Sequence, residues 1–291
     1  MKRLNDVTRK RRTVRNACAL LLAAAAIGAA GSAYADPIGY LPVNSDVKFK
    51  YSNEEILITG ADQSLYGIFN ISQITNNNNT ATYWNGNGGT DGSQLVGFFY
   101  GLTSTLDPGN LAFTGGHMVV YNVPNGQYDP AAAINGPLNT SNIQDLLCGG
   151  AACPTPWLTA DFVPGINDTL AYGFDTNITL NSAIAPSAPA VAQGSGYLSV
   201  ADNATYGNGA HNGYFDSNQY TFPDVAPADL FLKSEFSSCV NVTDPACTAD
   251  SWQVVSDDPV FARTVPEPGT LALLGLGLLG AGAFRRKKVR A

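Results

Sequence analysis

The sequence predicts an all-β fold, a β-sandwich or jelly roll, and three observations predict it. Short runs rich in β-branched and aromatic residues recur through the middle of the chain. Clusters of Gly, Asn, Asp and Pro punctuate them, and one internal segment alone carries a helical pattern.

The first run, Val47-Lys48-Phe49-Lys50-Tyr51, alternates apolar and polar with period two, as a half-buried strand does. Further β-rich runs follow at Ile56 to Thr59, Leu65 to Ile74, Ala81 to Trp84, Leu95 to Leu102 and Met118 to Val123. They continue at Leu170 to Phe174, Tyr197 to Val200, Leu230 to Phe236 and Trp252 to Ser256. Turn clusters separate them at Asn76 to Asn79, Asn85 to Gly92, Asp107-Pro108-Gly109 and Gly207 to Gly213. The helix is expected over Ser141 to Leu147, with Ser141 or Asn142 available as its cap. The Ala/Pro/Ser stretch Ala183 to Ala192 reads either as a linker or as a long surface loop of one sandwich. The strand pattern suggests a sandwich.

Charge divides the 291-residue chain into three parts, 1–35, 36–262 and 263–291. Seven basic residues crowd the first fifteen positions and five the last seven, whereas 36–265 holds only Lys48, Lys50, Lys233 and Arg263 against 21 acidic residues, a net −17. A body so acidic is excluded as a nucleic-acid binder, which needs basic surface to displace counterions from phosphate. It also argues against adhesion to bare anionic lipid. Charged residues are 13% of the chain, and Asn, Ser, Thr and Gly supply the polarity, as is common outside cells.

Residues 1–35 read as a secretory signal peptide. A basic stretch precedes the apolar run Ala17 to Ala30, and the small residues Ala33 and Ala35 predict cleavage by signal peptidase between Ala35 and Asp36. The run is too short to span a bilayer, which takes about 20 residues. Arg11-Arg12 permits a twin-arginine reading, but Arg15 interrupts the hydrophobic residues that should follow, so the general secretory route is expected.

At the other end Val265-Pro266-Glu267-Pro268 precedes an apolar stretch from Gly269 to Phe284 and the basic tail 285–291, which begins Arg285-Arg286. Each Pro removes a donor and restricts its predecessor, so the first element is extended and accessible. As a helix the 16 residues 269–284 would span about 24 Å, slightly short of a roughly 30 Å hydrocarbon core. Snorkelling Lys and Arg make up the difference, and the basic cluster sets that end in the cytoplasm. A permanent anchor would share this layout.

This tail resembles the PEP-CTERM sorting signal of exopolysaccharide-producing Gram-negative bacteria, through Val265-Pro266-Glu267-Pro268-Gly269-Thr270, the Leu/Gly-rich segment Leu271 to Phe284, and the basic Arg285 to Arg290. The resemblance implies recognition by an exosortase, a membrane cysteine protease–transpeptidase. It implies cleavage near Pro266-Glu267-Pro268, a transient inner-membrane anchor, and release or transfer of the body to the cell surface or matrix. Gly275-Leu276-Gly277-Leu278-Leu279-Gly280 has dinucleotide-binding spacing but no preceding strand, so it carries no weight as a nucleotide site.

Four cysteines remain after loss of Cys18. They allow three pairings, and proximity favours Cys148–Cys153 and Cys239–Cys247. Zinc would need histidine partners or Cys-x-x-Cys spacing, and an oxidising destination favours disulfides. His117 and His211 belong to no metal-ligand or hydrolase motif. Glu54-Glu55 and Asp257-Asp258 are adjacent carboxylates whose side chains would point to opposite faces of a strand, so each pair reads as a turn or a solvated edge. No catalytic residue, no metal site and no cofactor are expected. Calcium is the ion left open, through Asn85 to Gly92, where an ordinary glycine-rich loop is the stronger reading. Trp84 and Trp157 are expected to be exposed and Trp252 to be core.

The expected protein is a non-enzymatic surface or matrix component of an exopolysaccharide biofilm or floc. A carbohydrate-binding lectin-like module is the alternative, and a polysaccharide hydrolase a more distant one. The expected partners are signal peptidase, the exosortase and exopolysaccharide, with no nucleic acid.

Overall fold

A computed structural model describes residues 36–58, 64–86, 92–107, 110–130, 140–164, 167–168, 173–174, 179–184, 191–221, 225–238 and 254–266. The strands are β1 (Asp46–Ile58), β2 (Ser64–Asn76), β3 (Thr82–Asn85), β4 (Ser93–Asp107), β5 (Asn110–Pro124), β6 (Leu158–Val163), β7 (Asn167–Asp168), β8 (Gly173–Phe174), β9 (Leu180–Ile184), β10 (Val191–Val200), β11 (Leu230–Ser238) and β12 (Val254–Arg263). Helix α1 (Thr140–Cys148) lies where the sequence pattern put it, and α2 (Asn212–Phe215) is a single turn.

The all-β expectation holds, but the sheet is a closed eight-stranded barrel rather than a sandwich. Strands β1, β2, β4, β5, β6, β10, β11 and β12 neighbour one another in chain order, each pair antiparallel, and β12 pairs back onto β1 from Asp46↔Arg263 to Glu55↔Val254. Closure pairs each of the eight barrel strands on both sides and leaves the four-residue β3, paired to β2 alone, as a short edge. The sequence runs were shorter than the strands they seeded. Strand β1 joins Val47–Tyr51 and most of the Ile56 run into 13 residues, and β4 and β5 are 15 each. Strands this long twist enough to coil one sheet onto itself.

Glycines make the bend between β4 and β5. Gly101, Gly115 and Gly116 have φ of 74°, 69° and 109°, and there the ladder passes from Tyr100↔His117 to Leu102↔Gly115 without a change of register. The slot between β5 and β10 is filled by two short strands, β6 against His117–Val120 and β9 against Asn110–Phe113. Strands β9 and β10 pair from Ala192↔Ile184, so the Ala183 to Ala192 stretch connects two strands of one sheet and is no domain linker.

Two apolar clusters hold the barrel. The inner one takes alternate residues from all sides, including Val47, Phe49, Tyr51, Phe69, Leu95, Phe99, Leu102, Phe113, Leu198 and Leu230. Room for the rings comes from glycines on the facing strand: a Cβ on Gly67 would lie 2.2 Å from Phe99, and one on Gly97 2.4 Å from Phe69. The outer cluster lies on the opposite parity of β2, β4 and β5, with Ile68, Val96, Phe98, Val119, Tyr121 and Val123 beneath Ile143, Leu146, Leu147 and Cys148 of α1. Cys148 bonds to Cys153, as proximity favoured. In the chain-entropy picture a loop this short contributes about 2 kcal/mol. Cys239 and Cys247 lie outside the described residues.

Among the described residues no helix is long and apolar enough to cross a membrane. The signal segment 1–35 and the apolar stretch 269–284 fall outside them.

Candidate functional site

One end of the barrel gathers both ends of the described chain. Strand β1 starts there and β12 finishes there, Asp46 opposite Arg263. The segment before β1 folds across this end, with a 3-10 turn at Pro37–Tyr40, and meets the segment after β12. Thr264 is fully buried. Its hydroxyl donates to Pro42 O (2.6 Å) and accepts from Ser45 N (3.0 Å), while its amide donates to Ser45 O (3.0 Å). The next amide, Val265 N, donates to Tyr214 O at 2.8 Å, and Tyr214 Oη donates to Leu41 O at 2.9 Å. The chain is therefore fixed up to Val265, and Pro266 begins immediately beyond.

Asp36 pins the other side of this junction. Its Oδ1 accepts from Trp157 Nε1 (2.9 Å) and Ile38 N (3.1 Å), and its Oδ2 lies 2.6 Å from His211 Nε2. Burial works to raise the Asp36 pKa, but the hydrogen bonds from His211, Trp157 and Ile38 outweigh it and the net direction is down. Beneath lies an aromatic plug in which Phe49 meets Trp157 and Phe215 edge-on, and Trp157 meets His211 at 5.5 Å. Asp229 supports the same loop. It is buried and accepts from Ser217 N, Asn218 N and Val200 N at 2.6–2.8 Å. Burial pushes its pKa up against those hydrogen bonds.

A second constellation crosses the outer face. Tyr100, His117, Asp161 and Ser199 are successive register partners on β4, β5, β6 and β10. His117 Nδ1 lies 2.6 Å from Asp161 Oδ1, with side chains 44% and 41% exposed. Tyr100 packs tilted against His117, ring centroids 5.0 Å apart, and its hydroxyl accepts from Asn203 Nδ2 at 3.0 Å. Tyr206 packs edge-on to Tyr100. Burial pushes the Tyr100 and Tyr121 hydroxyls up. This row offers an aromatic face beside polar groups, the chemistry that contacts a sugar.

The residues singled out from sequence are placed unevenly. Val265 and Pro266 are half-buried at the junction. Ala33, Ala35, Glu267, Pro268, Arg285 and Arg286 lie outside the described residues, as do 87–91 of the calcium-compatible loop, Trp252, and the side chains of Asp257 and Asp258. Trp84 and Trp157, expected to be exposed, are both 3% exposed, because Trp84 pairs beside Ile74 in the inner cluster and Trp157 forms the plug. Glu54 and Glu55 do point to opposite faces, yet neither is solvated. Glu55 continues the inward parity of Tyr51 and accepts from Asn53 Nδ2, while Glu54 accepts from Tyr128 Oη on the outside. Sequence reasoning missed Asp36, Asp161, Asp229 and Thr264 altogether. The available signal was Asp36 itself, the first residue after the expected cleavage point.

Among known proteins, neither the curated sequences nor the solved structures give a match. A family model does match, the PEP-CTERM protein-sorting motif, over residues 264–287. That span starts at buried Thr264, so the motif begins inside the barrel's own hydrogen-bonding. The chain carries a PEP-CTERM sorting signal, with an exosortase as its implied processing partner and export to the cell envelope or surface as its implied fate.

Proposed function

We propose that this protein is a non-enzymatic structural or adhesive component of an exopolysaccharide matrix, made with a signal peptide at 1–35 and held transiently in the inner membrane of a Gram-negative bacterium by residues 269–284. The observation that carries the reading is the sorting motif at 264–287 running directly out of an acidic, closed barrel. A closed barrel, with only the short β3 as an edge among the described strands, resists edge-to-edge aggregation once delivered. A body of net −17 stays hydrated among polysaccharide chains. Deleting Pro266 to Pro268 tests the sorting step. The variant should accumulate in the membrane fraction, and surface release equal to wild type would refute it.

A second reading, carbohydrate binding, is favoured by the Tyr100–His117–Asp161 row. Pull-down with the producing strain's own polymer separates the two. Binding lost in both Tyr100→Ala and His117→Ala would favour a lectin-like module, whereas unchanged retention would leave the structural role.

A further inference from the structure

We propose that the barrel end where β1 starts and β12 finishes seats on the bilayer surface around its own anchor, through Tyr40, Val43, Lys48, Lys50 and Arg263. The inference rests on the reading that 269–284 is membrane-inserted, and adds to it an interaction surface and an orientation.

The tether between barrel and anchor is short. Val265 is fixed to Tyr214, and Gly269 opens the apolar stretch four residues later. Four extended residues span at most about 14 Å. Strands of 13 to 15 residues are about 43–50 Å long, and tilt shortens their height only partly. The junction end therefore cannot leave the bilayer, and a barrel seated on that end holds its far end clear of the surface.

Tyr40 and Val43, 46% and 50% exposed, are the large hydrophobics left exposed among the described residues, and both sit in the segment folded over this end. Tyrosine suits the headgroup level, with an apolar body and a polar tip.

Three of the body's four basic side chains, Lys48, Lys50 and Arg263, lie within five residues of the start of β1 or at the last residue of β12. Of the nearby carboxylates Asp46 faces Arg263 at 3.9 Å and Asp36 lies 2.6 Å from His211, while Asp216 and the tether's Glu267 keep their charge, so Lys48 and Lys50 are the cations left for lipid. The net −17 is thus an average over a body whose cations collect at one end. Untethered, the body should still be repelled by anionic lipid, because the remaining acidity is unopposed. The tether supplies a high effective concentration, and the seat empties when the tail is cut.

The test reconstitutes the full chain in vesicles of phosphatidylethanolamine and phosphatidylglycerol, with a genetically encoded environment-sensitive fluorophore at Val43 or, at the other end of β4, at exposed Thr103. Quencher-bearing lipids should quench the fluorophore at position 43 at least threefold more than at 103. Tyr40→Ser with Lys48→Glu and Lys50→Glu should at least halve the quenching at 43 while the chain still floats with the vesicles, and unchanged quenching at 43 in that variant would overturn the seat. Flotation with equal quenching at 43 and 103 overturns the seat and leaves the anchor standing. Failure to float overturns the anchor and the seat with it.

Discussion

The molecule contains two His–Asp pairs of the same length in different settings. His117 and Asp161 lie 2.6 Å apart on the outer face, 44% and 41% exposed, on residues already opposed in paired strands. His211 and Asp36 are also 2.6 Å apart, but the imidazole is only 14% exposed and the partners are 175 residues apart, in segments that no strand pairing joins. The first pair decorates a geometry the backbone has already fixed. The second helps to create one, holding the N-terminal segment against the plug and so against Thr264. An ion pair's weight comes from what its loss would free, more than from its length.

The largest effect should come from the plug on which the second pair rests. Phe215 is fully buried against Phe49 and Trp157, and Phe215→Ala should cost about 3–5 kcal/mol by denaturant unfolding. Hydrogen exchange should rise at 264–265 as well as in α2, because Tyr214 holds Val265. Exchange confined to α2 would separate plug from junction.

The histidines themselves come next. His211→Ala leaves the Asp36 carboxylate with two of its three donors, and should cost about 1–2 kcal/mol, the half-exposed carboxylate being partly solvated. His117→Ala should cost less than about 1 kcal/mol and become undetectable in high salt. Equal losses from the two substitutions would erase the distinction drawn here.

The contrast also marks what the sequence made legible. Alternation in Val47 to Tyr51 and the turn clusters read correctly as strands, and Ser141 to Leu147 as a helix, because each signal is local. Closure was not legible: it depends on Asp46 meeting Arg263, 217 positions away, and no local pattern encodes a partner. The tail was legible as a whole, since its Pro-rich, apolar and basic parts are contiguous. The junction was not, because Thr264 looks like any threonine until Pro42 and Ser45 arrive beside it. The tryptophans failed for the same reason, since flanking Gly and Pro residues suggested loops while the fold turned those loops inward.

The smallest effect is the most specific, and it is read in acid. The folded Asp36 carboxyl sits below the ordinary value of 3.8, so the unfolded chain binds its proton more readily than the folded chain does. Stability from this group is therefore complete above the ordinary value and is lost as pH falls through the lower folded one. Asp229 has the opposite sign. Burial raises it, so the folded chain takes up its proton first and gains relative stability as pH falls from its raised value toward the unfolded one. The two tendencies oppose each other in a raw acid-denaturation curve, and the difference between wild type and Asp36→Asn isolates the first. That difference, from urea unfolding at fixed ionic strength, should be constant between pH 7 and 5 and shrink below pH 3.8. A difference that persists unchanged below pH 3.8 would show that the carboxylate's charge is not what holds the junction.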